Sequence, residues 1–203
     1  GADGGVNGGV DETISTLAGT GVAGFNGDGI SPSAASVNFP TDAIADGAAG
    51  ATGNAYLADW FNNRVRYVNV QAVSVTRNGT PIPPNTIATL AVSPNGPTAL
   101  AVSGVGAFAE LYVCDSSGPV NSVLRVDAAG GVMVVASTAG TPGFAGDGGP
   151  ATAANFRILR GIGVSGSDLY IVDSQNNRVR RVTADGDGII NGTAGDTIAT
   201  FVG

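Results

Sequence analysis

A short motif recurs three times along the chain and constrains the fold more than any other feature. It reads Leu-Tyr-Ile-Val-Asp, two further residues and Asn-Asn-Arg-Val-Arg at residues 169–180. A close copy occupies residues 55–66 and a degraded copy residues 111–126, so the copies begin 56 and 58 residues apart. Self-similarity at such a period is typical of proteins built from repeated supersecondary units.

A glycine-rich motif precedes the first and third copies. Ala-Gly-Thr, a Gly-Phe pair and Gly-Asp-Gly occur in this order at residues 18–29 and again at residues 139–148. The second repeat has Ser-Pro-Asn-Gly-Pro at residues 93–97 instead. The first and third repeats therefore carry a long loop, and the second a short one.

Each repeat contains four short β-patterned runs bounded by Gly, Pro, Asn or Asp, and no window shows sustained helical periodicity. The runs are residues 13–18, 42–45, 55–59 and 64–70; 86–92, 98–102, 110–114 and 122–126; 132–137, 161–164, 168–172 and 178–183; and a further run at 197–202. Four antiparallel strands repeated radially form β-propeller blades, so the sequence predicts an all-β propeller of about three blades.

The Tyr-x-x-Asp and Asn-Asn-Arg-Val-Arg segments resemble those of the NHL repeat family. Blades of that family carry this core after an Ala-Gly-Thr-Gly and Gly-Asp-Gly loop, and the resemblance covers about residues 13–202. It implies that the first strand of each repeat lies nearest the propeller axis and the fourth lies outermost. NHL propellers usually have six blades, whereas this sequence contains three repeats and one extra run.

We expect the chain to divide into blades at residues 13–70, 86–127 and 132–183, with an insertion at 71–85 and a Gly-rich N-terminal segment at 1–11. The run at 196–203 either starts a further blade or closes on the first. Three blades would leave two sheet edges and an apolar flank uncovered. Either the chain is part of a longer protein, or two copies join as three plus three.

Composition excludes several function classes. The chain has no His and no Lys, its nine basic residues are all Arg, it has one Cys, and its formal net charge is -7. Imidazole-based catalysis, Schiff-base chemistry and a disulfide framework are therefore excluded. The acidic balance argues against nucleic acid, and no apolar run is long enough for a membrane span. The acidic, Lys-free composition and the missing start Met favour an extracellular or periplasmic location.

One Asp ends the first half of each of the three motif copies: Asp59, Asp115 and Asp173. They either ring one rim and bind a cation or a sugar, or each accepts backbone N–H groups in the turn that follows. Their recurrence in every repeat favours the second interpretation.

The turn between the two halves of each complete motif contains an Asn pair, and Asn tolerates the left-handed backbone that tight turns need. The Arg residues that follow alternate along a strand predicted to be outermost, where ion pairs are exposed and weak. The residues concerned are Asn62, Asn63, Arg64 and Arg66, with Asn176, Asn177, Arg178 and Arg180.

The glycine-rich loops lack the helix and Lys of a phosphate-binding loop. We expect Phe25 and Phe144 to fill space between blades. Asp28 or Asp147, with backbone carbonyls, would suit a Ca²⁺ ion.

A second calcium hypothesis concerns Asp185 and Asp187, which echo the middle of an EF-hand loop. The first ligand position would be Thr183, and the twelfth is Ala194 rather than Glu. The alternatives are a turn between blades and a weak Ca²⁺ site.

Trp60 and Phe61 depart from the pattern, since the third repeat has Ser174 and Gln175 at these positions. An aromatic pair in a turn predicts a contact surface for a sugar or a protein partner. Alternatively, the insertion at 71–85 folds back over the pair.

Two function classes follow. The first is an extracytoplasmic propeller that acts as a protein or glycan interaction module or scaffold without catalysis. The alternative is a fragment of a lyase- or lactonase-type propeller enzyme whose catalytic residues lie outside this segment.

Cys114 is expected to be a buried small apolar residue, and Glu12 and Glu110 match no catalytic motif. We expect no cofactor apart from Ca²⁺.

Overall fold

The computed structural model describes residues 13–47, 53–104, 109–117, 121–137 and 142–203. These residues form an all-β structure of three four-stranded antiparallel sheets and one two-stranded hairpin. The predicted all-β fold of four-stranded antiparallel sheets is thus confirmed. The N-terminal segment 1–11 and residues 139–141 of the second glycine-rich motif lie outside the described residues.

The strands of each sheet follow one another along the chain, apart from the hairpin inserted in sheet 1. Sheet 1 contains β1 (Pro40–Ala45), β2 (Ala55–Asp59) and β3 (Arg64–Asn69), the hairpin is β4 (Val75–Arg77) and β5 (Thr80–Ile82), and β6 (Thr86–Thr89) completes sheet 1. Sheet 2 contains β7 (Pro97–Ser103), β8 (Glu110–Ser116), β9 (Asn121–Val126) and β10 (Val132–Ala136). Sheet 3 contains β11 (Leu159–Ser165), β12 (Asp168–Asp173), β13 (Arg178–Thr183) and β14 (Thr197–Val202).

The strands are grouped differently from the predicted blades. The run at 86–92 was expected to open the second blade, but β6 pairs with β3 and forms the outer edge of sheet 1. Likewise β14 pairs with β13 and completes sheet 3 rather than starting a further blade. Residues 13–18 form no strand, and Ile14 is fully exposed, because no preceding sheet is present in the described ranges to pair with them.

The first strands of the three sheets lie side by side. The Thr41 hydroxyl of sheet 1 donates to the Pro97 carbonyl of sheet 2 (2.9 Å), and the Leu100 amide of sheet 2 donates to Asp42 (2.7 Å). Thr98 repeats the first contact by donating to the Leu159 carbonyl of sheet 3 (2.9 Å). The sheets therefore stack in chain order, and the described residues form no closed ring.

Two apolar layers separate the three sheets. Tyr56 of sheet 1 and Val113 of sheet 2 belong to the first layer. Tyr112 of sheet 2 and Ile171 of sheet 3 belong to the second. A smaller cluster around Leu57 covers the other side of sheet 1 beneath its own glycine-rich loop. Sheet 2 is thus buried on both faces.

The hairpin of the insertion clamps one end of sheets 1 and 2 together. Arg77 Nε donates to buried Asp46 Oδ2 (3.0 Å), which also accepts the Tyr67 hydroxyl. Asn78 Nδ2 donates to the Val126 carbonyl of sheet 2 (3.1 Å). Burial and Asp46 raise the pKa of Tyr67 above its ordinary value. In the described part of the chain no helix has the length and apolar character needed to cross a membrane.

Candidate functional site

Asp59 is fully buried at the end of β2 and organises the turn into β3. Its Oδ1 accepts the Asn38 amide (2.7 Å), and its Oδ2 accepts Asn62 Nδ2 (2.8 Å) and lies 3.6 Å from Arg66 Nη1. Asn62 also donates to the Gly24 carbonyl (2.8 Å). We call this the first corner, because one carboxylate joins the glycine-rich loop, the turn and the strand.

Asp173 builds a second corner of the same design in sheet 3. It accepts the Arg157 amide (2.8 Å) and Asn176 Nδ2 (2.8 Å), and it lies 3.7 Å from Arg180 Nη1. Asn176 donates to the Gly143 carbonyl (2.7 Å). The two corners place chemically equivalent atoms at nearly equal distances, so these residues act within the fold of each repeat.

The second Asn of each pair supplies the left-handed residue of the turn. Asn63 and Asn177 both have φ of +55°. Asn enters this backbone region more readily than most residues. Arg64 and Arg178 then donate to the carbonyl two residues before them, at 2.6 and 2.8 Å. These side chains fix the geometry of their own turns.

Phe25 and Phe144 lie over arginines of their own repeats rather than between sheets. The guanidinium carbon of Arg64 lies 3.9 Å from the Phe25 ring centroid, and that of Arg178 lies 3.9 Å from the Phe144 centroid. The rings are 39% and 43% exposed. The expectation that they fill space between blades is corrected: each ring packs its loop onto its own sheet through a cation–π contact.

Arg66 and Arg180 are completely buried, although the sequence predicted exposed positions on an outermost strand. The strands that carry them have neighbours on both sides, and the glycine-rich loops cover them. Arg66 Nη2 lies 2.9 Å from Asp28 Oδ1, and Arg180 Nη2 lies 2.5 Å from Asp147 Oδ1. Slight burial would raise the pKa of Asp147, but hydrogen bonds from Thr200 and Arg180 outweigh it and lower that pKa.

Asp115 of sheet 2 lacks the arginine of the two corners. Its carboxylate accepts the Asn95 amide (3.0 Å), and Leu124 lies on the neighbouring strand where the corners have arginine. Burial raises the pKa of Asp115, and hydrogen bonds from the Asn95 and Gly96 amides partly offset this. Each of the three motif carboxylates is used inside its own sheet.

Trp60 and Phe61 form an exposed aromatic group with Phe39, a residue that sequence analysis missed. The Trp60 and Phe61 centroids are 4.7 Å apart, and Phe39 lies 5.3 and 5.1 Å from them. Phe39 and Phe61 are 58% and 57% exposed. The positive φ of Phe39 (+54°) recurs at Ile158 (+56°), so this backbone belongs to the corner and not to the aromatic group.

The insertion does not cover this aromatic pair. The insertion contacts Asp46, at the end of β1. Because β1 and β2 are antiparallel, Trp60 at the end of β2 lies at the opposite end of the sheet. Trp60 instead lies against sheet 2, where a Cβ on Gly96 would come within 2.7 Å of the indole nitrogen and 2.3 Å of Ser117 Cβ. The predicted cover by residues 71–85 is therefore wrong.

Two arginines of sheet 3 complete the same end of the structure. The guanidinium carbon of Arg160 lies 5.7 Å from the Trp60 ring centroid, and Arg160 and Arg157 are both exposed. Among the described residues, neither has a carboxylate within 4.0 Å. We call Phe39, Trp60, Phe61 and Arg160 the rim cluster.

Sequence analysis did not find the two added members of the rim cluster, Phe39 and Arg160. Trp60 and Arg160 are 100 residues apart, so only the stacking of the sheets brings them together. The one available signal was positional. Thr41 follows Pro40 in sheet 1 and Thr98 follows Pro97 in sheet 2, and Arg160 follows Leu159 at the equivalent position of sheet 3. Each of these positions lies at a register shift between the first two strands of its sheet.

The loop with Asp185 and Asp187 is organised by its own hydrogen bonds. Asp185 accepts the Asp187 amide (3.0 Å) and the Thr193 hydroxyl (2.9 Å). Asp187 accepts the Ile189 amide (2.7 Å) and Asn191 Nδ2 (2.8 Å). The Asp187 amide, the Thr193 hydroxyl and a further bond to the Asp187 side chain lower the pKa of Asp185.

Calcium binding stays a prediction for this loop. Within the described ranges no three Asp, Glu, Cys or His side chains are grouped so that they would hold a metal ion. A Ca²⁺ ion at Asp185 and Asp187 would have to compete with the hydrogen bonds that their carboxylates already accept.

Of two remaining reactive side chains, one is buried and the other is ion-paired. Cys114 is fully buried, and this burial raises the pKa of its thiol, which disfavours the thiolate needed for nucleophilic attack. Glu110 Oε2 lies 2.6 Å from Arg125 Nε. Glu12 lies outside the described residues. These contacts give Cys114 and Glu110 structural roles.

The fold and the rim cluster define the class of protein as an all-β stack of four-stranded antiparallel sheets with an aromatic and basic surface at one end. Comparison with known proteins adds no name to this class: no protein-family model matches the chain, and no curated protein matches its sequence.

Proposed function

We propose that this protein is a non-catalytic interaction module and that the rim cluster contacts a protein partner. Phe39 and Phe61 expose more than half of their surfaces and touch Trp60, in a part of the structure where the described chain places nothing over them. Exposed aromatic groups with neighbouring arginines are typical of the few residues that dominate protein–protein binding. This exposure is the observation that carries the proposal.

The third repeat supports this interpretation. It builds the same corner with Ser174 and Gln175 in place of Trp60 and Phe61, and with Ile158 in place of Phe39. The fold of the corner therefore does not require aromatic side chains. A role outside the fold explains their presence in the first repeat.

The charge of the rim cluster favours an acidic partner segment. The whole chain carries a net charge of -7, but Arg160 presents a positive group beside the Trp60 ring. Opposite charges across an interface speed association and select partners. We therefore propose that the partner offers acidic residues next to an apolar or aromatic side chain.

We further propose that the three sheets are consecutive NHL-like propeller blades of an extracytoplasmic protein. Side-by-side first strands and the recurrence of the Tyr-x-x-Asp and Asn-Asn-Arg-Val-Arg segments support the blade arrangement. The extracytoplasmic location rests on the acidic, Lys-free composition alone.

The test uses the single tryptophan of the chain as a reporter, because Trp60 lies in the proposed contact surface. Peptides selected from a displayed library against the protein are titrated while indole emission is recorded, and affinities are measured by calorimetry. We expect the selected peptides to be acidic and to bind less tightly as salt is added. Phe61→Ala and Arg160→Ala each weaken binding about tenfold or more.

Phe201→Ala is the matched control, because Phe201 is 54% exposed but belongs to sheet 3 outside the rim cluster. Peptides that bind Phe61→Ala and Arg160→Ala as tightly as the unmodified protein would contradict the proposal. Neutral oligosaccharides that quench Trp60, with no binding by any peptide, would replace the protein partner by a glycan.

A further inference from the structure

One face of sheet 3 is open to solvent and carries apolar side chains beside the ion pair of Arg181 and Asp168 (3.8 Å). We call it the trailing face, because it points away from sheet 2. Val172, Phe201 and Val202 on it are 38%, 54% and 59% exposed. The Tyr170 ring lies 5.1 Å from that of Phe201, and Val179 pairs with both Val172 and Val202.

Equivalent faces of sheets 1 and 2 are buried. Tyr56 and Tyr112, which occupy the position of Tyr170 in the motif, are 0% and 4% exposed. Ala58 and Cys114, which occupy the position of Val172, are both 0% exposed. The trailing face of sheet 3 thus repeats a surface that the molecule covers at both of its other occurrences.

The same kind of surface covers the trailing faces of sheets 1 and 2. The trailing face of sheet 1 packs against Leu111 and Val113 of sheet 2. The trailing face of sheet 2 packs against Leu169 and Ile171 of sheet 3. In each case the cover is the opposite face of the next sheet, which we call its leading face.

The glycine-rich loop of sheet 3 also takes part in this packing. Ala151 and Phe156 are buried between sheets 2 and 3, and the Ser137 amide beside the last strand of sheet 2 donates to the Ala151 carbonyl (3.0 Å). The leading side of a sheet therefore includes its loop.

The leading side of sheet 1 has no sheet against it in the described ranges. Leu57 is covered by Ala35 of its own loop, as in sheet 3. Val37, which matches Phe156 in the repeat, is half-buried, whereas Phe156 is 1% exposed. The molecule thus presents an uncovered trailing side at one end and an uncovered leading side at the other.

We propose that these two ends bind each other between two copies of the chain. The leading side of sheet 1 in one copy covers the trailing face of sheet 3 in the second, and the reverse contact forms at the other end. The two contacts use different patches on each copy, so a closed pair satisfies both ends. This inference does not depend on the rim cluster or its partner.

Sedimentation of the purified chain between about 1 and 100 μM tests the proposal. We expect a species of twice the mass of one chain. Val172→Asp on the trailing face and Val37→Asp on the leading side should each raise the dissociation constant at least about a hundredfold, because each places a charge in an apolar contact. Val73→Asp, at a 63% exposed site on the hairpin, is the control and should leave the pair intact.

Mixing the two variants separates the proposed arrangement from a symmetric one. Val37→Asp keeps its trailing face and Val172→Asp keeps its leading side, so the mixture should regain one contact and form a pair that neither variant forms alone. Val172 and Val73 are exposed and Val37 is half-buried, and circular dichroism confirms that each of the three variants is folded.

Three results would overturn the proposal. The first is a single-chain mass at the highest concentration. The second is a pair that Val172→Asp abolishes while Val37→Asp retains it, because this shows two trailing faces in contact. The third is an open series of larger assemblies, which shows that two copies do not close.

Discussion

The first and third corners of this protein are built alike but are exposed differently. Asp59 and Asp173 hold a loop amide, an Asn side chain and a buried arginine at matching distances. The two residues that follow each carboxylate differ completely: Trp60 and Phe61 in the first corner, and polar residues in the other. What is shared builds the sheet, and what differs is available for function.

A second difference lies on the first strands. Thr41 and Thr98 donate hydrogen bonds to the next sheet. Arg160 at the equivalent position of sheet 3 reaches Trp60 instead. A position that joins sheets in two repeats therefore contributes to the rim cluster in the third.

The largest expected effect comes from removing a corner carboxylate. Asp173→Ala leaves buried Arg180 with Asp147 alone and removes the acceptor of the Arg157 amide. We expect the free energy of unfolding to fall by about 3–5 kcal/mol. Asp115→Ala leaves no buried arginine without a partner, so it should lower the free energy of unfolding by about 1–3 kcal/mol. Urea unfolding of both variants at pH 7 measures the difference.

Equal losses for Asp173→Ala and Asp115→Ala would break this comparison. They would show that the backbone hydrogen bonds, which both carboxylates accept, account for the stability of the corners and that the arginine adds nothing.

A smaller effect is expected from giving the first turn the sequence of the third. The double variant Trp60→Ser, Phe61→Gln should lower the free energy of unfolding by no more than about 1.5 kcal/mol, since Phe61 is 57% exposed and only Trp60 of the two lies against sheet 2. Unfolding is followed by circular dichroism, because the variant has no tryptophan. A loss as large as that of Asp173→Ala would show that the aromatic pair is part of the fold.

The smallest effect concerns the pH dependence of Asp147. Hydrogen bonds from Thr200 and Arg180 outweigh its slight burial and lower the pKa of this carboxyl in the folded state. Its stabilisation is therefore present above the unfolded pKa of about 4 and is lost as the pH falls through the lower folded value. The difference between the unmodified protein and Asp147→Asn should be under about 1 kcal/mol and should vanish in acid.

Thr200→Val sharpens this measurement. It removes the hydroxyl donor to Asp147 Oδ2 (2.6 Å) and keeps Arg180, so the acid loss should move to higher pH. Urea midpoints measured between pH 2 and 7 record the change. If the stability difference between the unmodified protein and Asp147→Asn grew in acid, the folded-state pKa of Asp147 would be raised and not lowered, which contradicts this prediction.

The sequence predicted the repeated four-stranded unit because its signals are local. Alternating apolar residues and turn-forming Asn and Gly act over a few neighbours, and Asn63 and Asn177 have the left-handed backbone expected of such turns. Burial of Arg66 and Arg180 was missed because the loops that cover them begin more than 30 residues earlier in the chain.

The sequence by itself determined which segments form strands and which side chains build each corner, since these depend on short-range patterns. The tertiary structure decided which sheet each outer strand completes: residues 13–18 share the Thr-Ile-x-Thr pattern of β6 and β14, yet only the latter two find a strand to pair with. It also decided that Arg160 meets Trp60, because stacking of sheets joins distant residues that no local pattern links.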